Sequence, residues 1–372
     1  MLRVNNQPVY RLTHQSLYLD YPLLSWLLLL SGIGLLVLYS ASNQDHGMLL
    51  RQVMRLFFAF SILFLMSFIP PHKYRLAAPF VYGSGILLLV AVVIAGKIGK
   101  GAQRWLDLGL FRFQPSEIMK LAVPMMIAWY VDKRPLLYDA RALLMSLLII
   151  MVPAILIAKQ PDLGTALMVM SSGFCVIFLA GLSFRLILLM LLSLVTLTPL
   201  LWHVMHDYQK QRILTMFNPE RDPLGSGYHI IQSKIAIGSG GGFGKGLLEG
   251  SQSHLSFLPE HATDFIFAVV GEEFGFMGCC CLVVLFFIIT WRTLSIARRA
   301  QTEFSRLLVA GLGMIFFLSA LVNMGMVTGM LPVVGVPLPL ISYGGTAMLT
   351  FLASFGIIMS VSTHRILFKS RL

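Results

Sequence analysis

The sequence predicts an all-α, polytopic membrane protein with about ten transmembrane helices in a single domain over 1–372, and a long extracytoplasmic loop between the seventh and eighth helices. Three observations carry this. Of 372 residues, 57% are hydrophobic and only 12% charged, with a mean hydropathy of +0.81; a soluble fold has no interior large enough to hide that much apolar surface. The apolar runs approach the roughly 20 residues that cross a bilayer core as a helix. Lys and Arg also favour alternate connecting segments, as the positive-inside rule requires.

Taken in order, the spans read as 21–42, 52–70, 78–96, 116–131, 142–158, 164–181, 183–202, 263–291, 304–328 and 340–363. The first is too long for a signal-peptide core and lacks a small-residue cleavage pattern. The fourth starts late and carries Glu117 and Lys120, while the eighth is long enough to tilt or project. Internal Gly and Pro do not break the assignment, because neighbouring helices can satisfy the freed backbone groups. With the N-terminus inside, the short cytoplasmic segments hold 15 Lys and Arg, among them Arg3, Arg365, Lys369 and Arg371. The short external ones hold 6: Arg51, Lys97, Lys100, Arg104, Arg112 and Lys159. Both termini then face the cytoplasm and 203–262 lies outside; eight or nine spans is the standing alternative. The net charge of +12 is explained by orientation and headgroup contact, and no basic groove with interleaved aromatics points to nucleic acid. The four Cys form no CxxC pair and read as packing residues.

Chemistry concentrates where the apolar runs stop. Asp264, between FLPEHAT and FIFAVVG, sits where water gives way to lipid. It reads either as a helix cap or as a general base, since carboxylates at membrane depth are costly and by default functional. On one continuous helix Glu272 would lie roughly 80° around from Asp264, and Glu273 opposite. Both read as structural partners or substrate ligands, with Glu260 and His261 at the mouth of the span. In GKIGKGAQRWLDLGLFRFQPSEIMKLA, Gln114-Pro115-Ser116-Glu117 looks like a helix start. Glu117 and Lys120 either pair locally at i,i+3 or hold a phosphate, and Arg104 and Trp105 add a cation and an interfacial aromatic. KQPDLGTAL offers Lys159 and Asp162 on the same external side.

In the long loop, YQKQRILTMFNPERDP, with Arg212, reads as an amphipathic piece on the membrane surface. The run GSGGGFGKG imitates a nucleotide loop but has Ser239 and Gly246 where a Walker motif needs Gly and Ser/Thr. Its glycines read as tight turns. Tyr228, His229, Gln232, Ser233 and Lys234 contact a polar headgroup or cap short helices. Downstream, Asn323 needs a partner in its apolar span, and Ser342-Tyr343-Gly344-Gly345 allows close packing of the last helix.

Four motifs together, GAQRWLDLGLFRFQPSEIMKLA, KQPDLGTAL, AIGSGGGFGKGLLEGSQSHLSFLPEHATDFIFAVVGEEFG and NMGMVTGMLPVVGVPLPLISYGG, resemble the SEDS (shape, elongation, division and sporulation) family of cell-wall glycosyltransferases. The last motif is closest to the rod-shape elongation branch. The resemblance covers about 15–368. It implies polymerisation of lipid II outside a bacterial inner membrane, with undecaprenyl diphosphate released and a class B penicillin-binding transpeptidase as partner beside other elongation proteins. It also implies Asp264 as the essential carboxylate. Arg104, Trp105, Glu117, Lys120, Lys159, Asp162, Arg212, Lys234 and Glu260 would contact substrate, and Glu272, Glu273, Ser342, Tyr343, Gly344 and Gly345 would support the site. One departure is local: Ala262 stands where the family commonly has His, and His261 comes one residue earlier. A divalent cation could share the work at the diphosphate, although no motif signals one. The rival readings are a lipid II flippase and a non-catalytic scaffold for the transpeptidase.

Overall fold

Once water is excluded, a backbone amide must find its partner within its own segment, so apolar runs of membrane length fold as helices. The computed structural model describes residues 11–12, 18–99, 102–107, 112–134, 140–182, 184–205, 207–222, 225–251, 260–364 and 366–367. Among the sequence features above, residues 101, 108–111 and 252–259 of the quoted motifs, and Arg3, Lys100, Arg365, Lys369 and Arg371, lie outside the described residues.

The chain runs through α1 (Tyr21–Ala41), α2 (His46–Phe68), α3 (Pro71–Ala95), α4 (Pro115–Lys133), α5 (Ala140–Ala158), α6 (Leu163–Leu179) and α7 (Phe184–Val204). Then come α8 (Asp207–Phe217), α9 (Ser226–Gly240), α10 (Ile266–Arg298), α11 (Glu303–Val327) and α12 (Thr346–Thr363). Among the described residues, seven helices are long and apolar enough to cross a membrane: α1, α2, α3, α5, α10, α11 and α12. The outer surface agrees with a lipid setting. Phe57, Phe80 and Ile94 are 77%, 79% and 78% exposed, which in water would be a large unsolvated patch.

The least apolar long helix is largely enclosed by protein. α4 packs against α3, α5, α6, α11 and α12, and it buries Ser116, Glu117 and Lys120 along with Met119, Val123 and Ile127. Its polar groups therefore face protein and not lipid. Asp20 ties the starting end of α1 to the bundle. It caps α1 through Leu23 N, receives both Nε and Nη2 of Arg292 at 3.1 and 2.8 Å, and accepts from Ser362 Oγ at 2.9 Å. One side chain thus joins α1, α10 and the end of α12.

Two features depart from the all-α expectation. A three-stranded antiparallel sheet, β2 (Lys97–Gly99), β3 (Ala102–Asp107) and β4 (Arg112–Phe113), fills the α3–α4 connection, and β1 (Arg11–Leu12) pairs with β5 (Ile366–Leu367). The other concerns the eighth span, expected as one continuous helix over 263–291. The α10 helix starts only at Ile266, so Asp264 precedes it in a turn, and it is broken at Gly275, whose φ of 65° and ψ of −163° are non-helical. The helical-wheel relation of Asp264 to Glu272 and Glu273 fails because Asp264 lies in the turn before the helix.

Candidate active site

The turn carrying Asp264 is built by its neighbours. Glu260 adopts φ 57° and folds the chain back, its carbonyl accepting from Thr263 N at 3.0 Å and Phe265 N at 3.2 Å. Its carboxylate takes the Thr263 hydroxyl at 2.7 Å. Three successive carbonyls are then claimed from outside. Tyr343 N donates to Ala262 O (2.9 Å), Ser342 Oγ to Thr263 O (2.6 Å) and Asn323 Nδ2 to Asp264 O (2.8 Å). Asn323 also holds Val336 O at 2.7 Å, so one buried amide fixes the turn and the 332–339 segment together. This leaves the half-buried Asp264 carboxylate beside Gly335, where an added Cβ would lie 3.4 Å from Oδ2.

A second layer holds Tyr343. Arg55 stacks over its ring at 4.4 Å, Arg51 Nε donates to its hydroxyl at 3.4 Å, and Gln52 Nε2 donates to Ser342 O at 3.2 Å. Sequence reasoning missed Gln52 and Arg55. The available signal was two polar side chains three apart in an otherwise lipid-length run.

The cations come from two directions. Arg104 on β3 reaches Pro161 O, and its Nε lies 3.8 Å from Asp162 Oδ2. Asp162 is buried, caps α6 through Thr165 N at 3.2 Å, and accepts from Gln114 Nε2 at 3.0 Å. The Arg104, Gln114 and Asp162 motifs thus meet in one network. Trp105, next on β3, points to the opposite face of the strand. Arg212 approaches on α8. Burial, and after it the like charge of Arg104, lower its pKa, while Tyr208, Asp162 and Asp264 act in the other direction. An arginine remains charged regardless. Arg104, Arg212, Asp162 and Asp264 thus share one electrostatic neighbourhood.

Other expected ligands are held differently. Lys120 is 4% exposed and its Nζ sits 2.7 Å from Glu117 Oε1, so the geometry shows the local pair. Glu117 Oε2 and Ser116 Oγ are buried without a hydrogen-bond partner. Lys159 is exposed on the turn after α5. Lys234 is exposed on α9 and lies across Gly329, where an added Cβ would be 2.4 Å from Lys234 Cε. Gly344 and Gly345 precede α12, with Gly345 near Arg55.

Glu272 and Glu273 belong to a separate seam. In an unbroken helix Phe276 N and Met277 N would bond to Glu272 O and Glu273 O. The Gly275 break parts them, and the glycine loop takes up all four groups. Lys245 N and Gly246 N donate to Glu272 O and Glu273 O at 3.0 and 3.1 Å, while Phe276 N and Met277 N donate to Gly241 O and Gly242 O at 2.9 and 3.1 Å. Only glycine fits: Gly244 has φ 83°, and a Cβ there would fall 2.1 Å from Glu273 O. The side chains complete the seam. Glu272 Oε1 meets Lys245 Nζ at 2.7 Å, and Glu273 accepts from Ser40 Oγ. Lys245 was read only as part of a failed nucleotide motif. Among the described residues no group of three or more His, Cys, Asp or Glu converges as a metal site.

Similarity to known proteins agrees with this arrangement. The family model described as cell cycle protein, FtsW/RodA/SpoVE, matches residues 21–366. The peptidoglycan glycosyltransferase MrdB of Escherichia coli K12 is 51% identical over 351 residues, 94% of this chain and 95% of that one. The peptidoglycan glycosyltransferase RodA of Treponema pallidum is 31% identical, covering 93% and 98%. Among solved structures, a chain from a peptidoglycan synthase complex described as coordinating polymerization and crosslinking superposes with a TM-score of 0.81 at 33% identity, covering 92% and 97%. The rod shape determining protein RodA of Thermus thermophilus gives 0.71 at 28% identity, covering 93% and 97%.

Proposed function

Since this chain belongs to the FtsW/RodA/SpoVE (SEDS) family and is a multi-pass inner-membrane peptidoglycan glycosyltransferase that polymerises lipid II into glycan strands, we propose that Asp264 is the general base of that polymerisation. The observation that carries this is the turn itself: three pinned carbonyls hold one partly open carboxylate in the neighbourhood of Arg104 and Arg212. Such preorganisation is what a base must have to meet a hydroxyl at hydrogen-bond distance.

In a single inverting displacement the acceptor sugar's 4-hydroxyl oxygen bonds to the donor's anomeric carbon. The bond from that carbon to the diphosphate oxygen breaks, with its electron pair leaving on the diphosphate. The hydroxyl proton passes to Asp264. Arg104 and Arg212 offset the growing negative charge, the larger share of such catalysis in most enzymes. Asp162 and Gln114 orient Arg104, and Trp105 anchors the strand at the headgroup level. Glu117 and Lys120 act from a buried layer behind this surface. Lys159, Lys234 and Glu260 border the path of the polar headgroup.

The wider reading has ten spans, adding α4, α6 and α7 to the seven. Both termini lie in the cytoplasm, and Asp264 and the loop over 203–262 lie outside. It is supported by the basic-residue asymmetry. A class B transpeptidase, with other elongation-complex proteins, is the natural partner; support comes from the relative described within a synthase complex.

The test is polymer formation from purified lipid II by wild type and Asp264→Asn, with and without the transpeptidase. Loss of polymer in an assembled variant is expected. Polymerisation by Asp264→Asn at the wild-type rate would remove the base assignment.

A further inference from the structure

Between α11 and α12 the chain crosses the site as a strap without regular structure, residues 332–339, stiffened by Pro332, Pro337 and Pro339. Three successive residues of the strap meet three different parts of the molecule. Val334 lies over the first turn of α6: a Cβ added at the buried Gly164 would fall 2.2 Å from the Val334 carbonyl oxygen and 3.1 Å from its carbon. Gly335 flanks the Asp264 carboxylate. Val336 O accepts from the buried Asn323 amide, which also holds Asp264 O. The strap therefore runs to the acid from the helix start capped by Asp162, the partner of Arg104.

The contact at Gly164 is with backbone, which decides what an added methyl group would do. Opposed by the end of a side chain, a methyl is accommodated by repacking; opposed by a carbonyl, it displaces the chain. α6 holds a glycine of each kind. At Gly173 an added Cβ would meet Ile150 Cγ1 at 2.5 Å and Ile127 Cδ1 at 3.0 Å, both side-chain atoms. At Gly164 the obstacle is the strap itself. The strap is also held beyond the acid. Gly335 and Leu340 have φ of 73° and 63°, and a left-handed leucine persists only where its surroundings fix it. Those surroundings include α1, where a Cβ on the buried Gly34 would fall 2.7 Å from Leu340 O. They include Ser342 Oγ, which accepts from Leu338 N at 2.8 Å. With that end held, a push at Val334 passes to Gly335 and so to the acid.

We propose that Gly164 is a positioning residue for the polymerisation. Lacking a side chain, it lets the Val334 carbonyl seat against α6, and the seated strap sets, through Gly335, where the Asp264 carboxylate stands. Gly164 itself touches no reacting atom. The inference rests on Asp264 being the general base. It places the loss in turnover and not in substrate affinity, because displacing a catalytic group by about 1 Å costs up to about 100-fold in rate while the contacts that bind lipid II stay.

The experiment measures initial rates of polymer formation over a range of lipid II concentrations, using the purified full chain in the presence of the class B transpeptidase. Gly164→Ala should lower turnover at saturating lipid II about 10- to 100-fold and leave the half-saturating concentration within about twofold. Gly335→Ala, at the acid's end of the strap, must carry a side chain at a left-handed φ and should lower turnover about tenfold. Gly173→Ala, on the same helix but against side chains, should lower the melting temperature and keep wild-type turnover in monodisperse protein. If Gly164→Ala is not recovered monodisperse, Gly335→Ala decides: reduced turnover supports the strap, and wild-type turnover overturns it. With Asp264→Asn inactive, three results overturn this inference alone: wild-type turnover in Gly164→Ala or Gly335→Ala, an equal loss in Gly173→Ala, or a loss carried by the half-saturating concentration. Wild-type turnover in Asp264→Asn overturns the base assignment, and this inference with it.

Discussion

The Asp264 turn and the Glu272–Glu273 seam place carboxylates close together in the chain and use them in opposite ways. In the seam, Glu272 and Glu273 are 0% and 1% exposed and bound to Lys245 and Ser40. In the turn, the backbone is immobilised and the carboxylate of Asp264 stays half-buried against Gly335. The two glutamates close a broken helix, whereas Asp264 is the acid to which the proposed mechanism gives the proton. Depth alone is therefore a poor guide to chemistry. What distinguishes Asp264 is that its own carbonyl and those of the two residues before it are pinned while its carboxylate acts electrostatically on Arg212.

The largest effect should separate the two regions by rate. Asp264→Asn should lower polymerisation by about 10²–10⁴-fold, the usual share of a general base, with little change in melting temperature. Glu273→Gln keeps an acceptor for Ser40 and should lower the rate by less than about tenfold. Equal rate losses in the two variants would erase the distinction. The next effect should separate them by stability. Gly244→Val must push a β-branched residue into φ 83° against Glu273 O, so about 3 kcal/mol or more of destabilisation is expected, seen as poor recovery of monodisperse protein. A Gly244→Val protein with wild-type thermal stability would mean the loop does not seal the Gly275 break.

A smaller effect tests whether the pins serve the acid. Ser342→Ala frees Thr263 O and Leu338 N, each now served by one hydroxyl at 2.6 and 2.8 Å. A loss of about 1–3 kcal/mol is the cost of leaving such buried groups unpaired. It should appear mainly as a lower turnover at saturating lipid II, because the turn positions the base. Arg212→Gln should instead weaken handling of the diphosphate, by about tenfold or more. If Ser342→Ala lowers stability and leaves turnover unchanged, its contact is only packing.

Much of this was legible beforehand, for definable reasons. Lipid-length apolar runs announce helices because the bilayer leaves few other options: α1, α4, α5, α6, α7 and α11 fall close to their expected ranges, whereas α2 and α3 begin earlier and α12 later than expected. Asp264 stood out because charge near lipid is costly. The break at Gly275 was not legible: a lone glycine in an apolar run looks like a packing residue until the loop that replaces its lost hydrogen bonds is seen. The same holds for Gln114 and Asp162, which lie 48 positions apart and meet only once α4 packs against α6. Lys120 shows the limit in the other direction, since i,i+3 spacing named both its pairing and its phosphate role and only burial distinguishes them.

The smallest effect comes from the far end of the bundle and guards the comparison against a general pH effect. His364, just past α12, is held below its ordinary value of 6.5 by burial and by His72, with the Ser360 carbonyl at 3.1 Å opposing. The folded state therefore favours the neutral ring, while the unfolded chain takes up the proton near the ordinary value. The stabilisation is complete above that value and is lost as the pH falls below it, through the depressed folded value. His364 is only partly buried and solvent screens it, so the change in melting temperature should be about 1–2 °C in neutral detergent. His364→Gln should flatten that slope and leave the pH profile of polymerisation unchanged, because the base lies at the other end. An altered rate profile would tie the two ends of the bundle together.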